Sequence, residues 1–139
     1  MNPQKRKRRS DRRARRHIGL AWKAVERGDL QVARREVERA IAERENNPAV
    51  WTESGLVHRR LGDQRAAERA FRSAILVAPT YVDAYVHLAA VLADRGRTLQ
   101  AAKYQRRALE LRPDVDSYRR RLAEYEAAAA VETEDEEDL

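Results

Sequence analysis

Residues 48–81 read PAVWTESGLVHRRLGDQRAAERAFRSAILVAPTY, and the spacing of apolar and small residues in this stretch decides the fold. Ahead of its glycine, Trp51, Ser54, Gly55, His58 and Leu61 step by three and four; behind it, Ala67, Ala70, Phe71, Ala74 and Ile75 do the same. Such steps place each set on one face of an α-helix. Asn47 suits a helix start, because its side chain can accept from a backbone N–H that has no intrahelical partner, and Pro48 lacks the N–H that would be orphaned there. Gly62 suits the left-handed residue that ends a helix, and Asp63 can cap the next one. The stretch is expected to form two antiparallel helices of about 13–15 residues joined by a tight turn. Small residues at the crossing let the axes approach, with Trp51 and Phe71 filling the space beside it.

Moving outward, the pattern recurs every 34 residues: Gly28, Gly62 and Gly96; Ala33, Ala67 and Ala101; Ala40, Ala74 and Ala108; Ala21, Gly55 and Ala89. Pro79 and Pro113 keep the step, as do Leu20, Leu88 and Leu122, with Ser54 the exception in that column. Asp follows Gly28 and Gly62, whereas Arg97 follows Gly96. Columns agreeing on one period mark a repeat. The series Trp51-x2-Ser54-Gly55-x2-His58, Gly62-Asp63, Ala67, Phe71, Ala74 and Pro79 resembles the tetratricopeptide repeat. The third unit resembles it through Tyr85, Leu88-Ala89, Leu92, Gly96, Ala101, Ala108 and Pro113. It departs at Tyr104, one residue ahead of the expected aromatic, which leaves Gln105 in that slot. The first unit matches through His17, Leu20-Ala21, Ala24, Gly28-Asp29, Ala33, Val37 and Ala40, with Glu45 where the closing proline would fall. The resemblance implies an all-α superhelix of about seven antiparallel helices, with repeats at 14–47, 48–81 and 82–115. Residues 116–130 are then the closing amphipathic helix, capped by Asp114 or Asp116, with Tyr118, Leu122 and Tyr125 facing inward.

The 139 residues include no cysteine, which removes disulfides, thiolate nucleophiles and thiolate metal sites and fits a reducing cytoplasm. No apolar run approaches the roughly 18 residues that span a bilayer, and Ile18–Trp22 is too short for the core of a signal peptide. The three histidines, His17, His58 and His87, show no metal spacing. His17 and His58 fall in packing columns and are expected to be half-buried structural residues. The glycines are single helix terminators rather than a phosphate-binding loop, and the serines lack a nucleophile elbow. Glu36, Glu38, Glu43 and Glu45 alternate with arginines and are expected to be solvated charge ladders. No catalytic set, cofactor site or metal site is indicated, and the chain is expected to bind rather than to catalyse.

In an array of the kind the resemblance implies, the first helix of each unit lines a concave groove. The projecting side chains would be Trp22, Thr52, Glu53, Leu56, Arg59, Arg60, Val86, His87, Ala90, Asp94, Arg120 and Arg121. An apolar floor between basic rims suits a peptide segment of a partner protein carrying apolar anchors and acids. Some relatives hold the C-terminal carboxylate of heat-shock chaperones with Lys and Asn. The corresponding places here hold Ile18, Trp22, Glu53, Asp83 and His87, which argues against that ligand.

The net charge of +6 is unevenly spread: residues 1–16 carry nine Lys/Arg and one acid, and residues 131–139 carry six acids and no base. Residues 1–13 are expected to be a disordered basic arm and 131–139 a disordered acidic tail. Lys5, Arg6, Lys7, Arg8, Arg9, Arg12, Arg13, Arg15 and Arg16 form a dense cluster able to bind nucleic-acid phosphates or an anionic membrane surface. Two functions from different classes follow: a protein-interaction adaptor using the groove, and an accessory nucleic-acid-binding protein using the arm.

Overall fold

A computed structural model describes residues 1–137 as seven α-helices: α1 (Pro3–Arg27), α2 (Leu30–Glu43), α3 (Pro48–Arg60), α4 (Gln64–Val77), α5 (Val82–Asp94), α6 (Thr98–Leu111) and α7 (Asp116–Glu137). They divide into two compact units, Met1–Pro79 with α1–α4 and Thr80–Leu139 with α5–α7. Among the described residues there is no strand, and no helix is long and apolar enough to cross a membrane.

The helix boundaries follow from local chemistry. Gly28, Gly62 and Gly96 adopt φ of 77°, 81° and 77°, the left-handed conformation that closes a helix and costs glycine nothing. At the first of these turns Gly28 N–H donates to Val25 C=O, and Asp29 N–H reaches back to Ala24 C=O. Asp29 then caps α2 by accepting from Val32 N–H at 3.3 Å, and Asp63 caps α4 by accepting from Ala66 N–H at 3.0 Å. Asn47 accepts from Ala49 N–H at 2.9 Å with Pro48 in the first turn of α3, as the sequence predicts.

In the first unit, Ala14, Ile18, Ala21 and Ala24 of α1 meet Ala33, Val37 and Ala40 of α2 together with Val50 and Val57 of α3. Gly55 of α3 faces the fully buried ring of Phe71 of α4: a Cβ placed on it would lie 2.7 Å from Cδ1 and 2.8 Å from Cζ. Ser54, the exception in the leucine column, is buried with its hydroxyl donating to Val50 C=O at 2.7 Å, so its polarity is satisfied within its own helix.

In the second unit, Leu88, Ala89 and Leu92 of α5 are fully buried, as are Ala101 and Ala108 of α6; Tyr125 and Ala129 of α7 are buried as well. Gln105 occupies the column of Val37 and Phe71 and is fully buried, and its amide donates to Tyr118 C=O in the first turn of α7 at 3.2 Å. The displaced aromatic, Tyr104, lies against Tyr85 with ring centroids 6.4 Å apart. The acid that follows Gly28 and Gly62 is missing after Gly96. Arg97 gives α6 no side-chain cap, and the Thr98 hydroxyl in its first turn donates instead to Glu132 Oε2 of α7 at 2.5 Å. An anion at that end also complements the helix dipole.

Two expectations about the termini are corrected. The basic arm is the first half of a helix that runs without interruption from Pro3 to Arg27. Asn2 caps it by accepting from Gln4 N–H at 2.8 Å, Pro3 takes the first position, and arginines are good helix formers. Ion pairs to α2 and its C-cap anchor it, Asp11 with Arg44 at 2.8 Å and Arg13 with Glu43 at 3.7 Å. The acidic tail is helical as far as Glu137, held through the Glu132 contact; Asp138 and Leu139 lie outside the described residues. Neither proposed aspartate caps α7: Asp114 pairs with Arg112 at 3.2 Å, and Asp116 is the first helical residue, paired with Arg119 at 3.1 Å.

Candidate functional site

The first unit presents the α1/α3 side as its candidate surface. Ile18 and Trp22 are one turn apart on α1, as are Glu53 with Leu56 and Leu56 with Arg60 on α3, so helical spacing alone aligns them. The Trp22 indole N–H donates to Glu53 Oε2 at 3.3 Å, tying α1 to α3 and fixing the ring. Trp22, Leu56, Arg59 and Arg60 line one shallow pocket; Ile18, Val50 and Glu53 line another together with Asp11, Arg15, Asn47 and Ala49. Glu53 therefore stands between two recesses, one with an apolar floor and two guanidinium groups, the other mixed in charge.

Thr52 does not belong to this surface. It is buried, and its hydroxyl donates to Pro48 C=O at 2.8 Å, because the residue beside Glu53 on a helix turns toward the core. In the second unit, Val86, His87 and Ala90 of α5 are half-buried, while Asp94 of α5 and Arg120 and Arg121 of α7 are exposed. Arg121 lies 3.7 Å from Glu124. All nine basic residues of the arm, Lys5, Arg6, Lys7, Arg8, Arg9, Arg12, Arg13, Arg15 and Arg16, are exposed on α1. Among the described residues no three His, Cys, Asp or Glu side chains converge as a metal set would.

Two polar residues on other faces matter for pH. His17 is half-buried, and its Nδ1–H donates to Glu36 Oε2 at 2.6 Å, while Arg39 donates to Glu36 Oε1 at 2.8 Å. This corrects the expectation for Glu36, which is 6 % exposed and not a rung in a solvated ladder. Burial pushes its carboxyl up, but the His17 hydrogen bond and the positive charge of Arg39 outweigh this and hold it below its ordinary value. His58 lines a cleft between α2 and α4 with Trp51, Arg34, Glu38, Asp63 and Arg69, and its Nδ1 has no hydrogen-bond partner among the described residues. Burial lowers its pKa; Asp63 and Glu38 oppose the shift, and Arg34 and Arg69 add to it.

Both groups have depressed values in the fold, so both give stability that is present at neutral pH and lost on acidification. For His58 the unfolded imidazole takes its proton as pH falls through 6.5 while the folded one resists, so the loss begins there. For Glu36 the unfolded carboxyl protonates near 4.5 and the folded one lower, so its loss lies in that more acid window. Urea midpoints for wild type and His58→Gln should converge as pH falls from about 7 to about 5, because only the wild type has a buried imidazole to protonate. Parallel curves would show that His58 is not held neutral by the fold.

The sequence model of the tetratricopeptide repeat matches residues 18–64 and 52–116, which together cover well over half of the chain. The probable biofilm formation methyltransferase WspC of Pseudomonas aeruginosa is 35% identical over 81 residues, 58% of this chain. The chain spans only 19% of the length of that relative. Among solved structures, the first TPR domain of human RPAP3 superposes with a TM-score of 0.76 at 21% identity, covering 88% of this chain and 96% of that one. The first TPR of Spaghetti (RPAP3), bound to the HSP90 peptide SRMEEVD, gives 0.74 at 22% identity, covering 86% and 98%. At such identities the structural likeness shows the fold alone. The repeat spacing, the glycine-closed turns and the match to the family's sequence model agree, and the chain belongs to the tetratricopeptide repeat family.

Proposed function

We propose that the chain is a protein-interaction module that takes a peptide segment of another protein on the α1/α3 side of its first unit, without catalysis of its own. The observation that carries this reading is the Trp22–Leu56 floor beside Arg59 and Arg60, with the indole pinned by Glu53. A preset aromatic with flanking guanidinium groups is the composition of an interface anchor. It suits a segment with an apolar side chain followed by carboxylates. On the second unit, taken by itself, Val86, His87, Asp94, Arg120 and Arg121 are the candidate contact residues, and the lack of cysteine suits a cytoplasmic setting. Domains of the same fold hold chaperone peptides, as in the SRMEEVD complex. Glu53 beside Trp22 would repel a terminal carboxylate, so that heptapeptide is the expected weak binder.

The test is selection of random peptides on full-length protein, with affinities of the recovered sequences then measured by titration calorimetry. Trp22→Ala should weaken binding at least about 30-fold, as truncation of an anchor costs about 2 kcal/mol or more. Arg59→Glu with Arg60→Glu should select against acidic peptides. Peptides that bind wild type and both variants equally would place the interaction on another surface.

A further inference from the structure

The helical state of the arm changes what its charges can do. At 3.6 residues per turn, Lys5, Arg8, Arg9, Arg12, Arg15 and Arg16 follow one another at steps of three and one, and so fall in a single stripe along α1. The opposite side of the helix carries Ala14, Ile18 and Ala21 into the core, which fixes the rotation of the stripe toward solvent. The stripe holds no carboxylate: Asp11, the one acid within residues 1–16, is turned aside to Arg44. Six cations thus occupy about 16 Å of helix length at 1.5 Å per residue, and among the described residues none of the six is paired with a carboxylate.

We propose that this face of α1 binds the phosphate backbone of double-stranded nucleic acid without reading its sequence. Five of the six residues are arginine, whose planar fork suits phosphate oxygens. A duplex offers a charge roughly every 1.7 Å along its axis, a density that a row of this pitch can match. Two observations select duplex over the other polyanions. No aromatic residue lies in the stripe, so single strands would find nothing on which to stack their bases. The apolar side of α1 is consumed by α2 and α3, so the helix has no face left to sink into a bilayer.

The experiment measures affinity of the full-length chain for a generic 20-base-pair DNA duplex by fluorescence anisotropy across a salt series. The wild-type slope of log K against log salt should be near −5, as expected for about six phosphates neutralised. Arg8→Gln/Arg9→Gln/Arg12→Gln should flatten that slope by about 3 and weaken binding roughly 100- to 1000-fold near 0.1 M salt. Glutamine is nearly as good a helix former as arginine, so circular dichroism should show helicity retained. A charge-matched control, Arg35→Gln/Arg65→Gln/Lys103→Gln, removes exposed cations elsewhere and should change the slope little. Equal loss in control and stripe variants would overturn the proposal, as would no anisotropy change at low salt. Tighter binding to phosphatidylserine vesicles than to duplex at matched salt would also overturn it. So would self-association that the stripe variant abolishes while duplex binding is absent, because the stripe would then serve the acidic end of another copy.

Discussion

Phe71→Ala is expected to cost about 3–5 kcal/mol, the range for removing a fully enclosed phenylalanine. The ring is inaccessible to solvent and is wedged between α3 and α4, where Gly55 leaves it room. Against a typical stability of about 5–15 kcal/mol, that is a large fraction of the total. Chemical denaturation should show it as an earlier midpoint with little change of slope. An unaltered midpoint would mean that the ring does not sit where the repeat register puts it.

Gly55→Ala should show the same packing from the other side, and its sign should depend on Phe71. In the wild type a new methyl group would lie under 3.0 Å from three atoms of the ring, which is buried and cannot swing away. Overpacking of this kind costs about 1–3 kcal/mol. In the Phe71→Ala background the obstruction is gone. Replacing a mid-helix glycine by alanine then recovers about 0.5–1 kcal/mol of backbone entropy. The double-mutant cycle should therefore report a reversal, destabilising in one background and stabilising in the other. Equal costs in both backgrounds would show that something other than the ring opposes a side chain at Gly55.

Most of the fold was legible because the signals are local. Gly62 ends a helix through its own φ, and Asp63 and Asn47 cap through bonds that span two or three residues. Two of the misreadings concern contacts between helices. The arm looked disordered because its charge density is high, yet the carboxylate and the guanidinium that anchor it lie about thirty positions away, at Glu43 and Arg44. Glu36 looked solvated among arginines, and only its approach to His17 shows that it is buried. Thr52 was counted with Glu53 among the projecting residues, though one step along a helix turns the side chain by about 100°. The candidate surface was legible where helical spacing sets it, at Trp22, Leu56, Arg59 and Arg60. The Trp22–Glu53 bond that pins the indole was not, because it joins residues 31 positions apart.

The bond from Thr98 to Glu132 also bears on how an array like this could lengthen or shorten by duplication. The helices α2 and α4 carry their own start signals in Asp29 and Asp63, so neither needs an acid from a later helix at its start. The third repeat differs: its second helix borrows an acid from α7, and its buried Gln105 leans on a carbonyl of the same helix. A new unit spliced in after residue 115 would separate both partners from the groups they satisfy, whereas copying the Pro48–Tyr81 unit in place would separate neither. Growth of the chain is therefore physically cheapest in its middle, and α5–α7 behave as one inherited block.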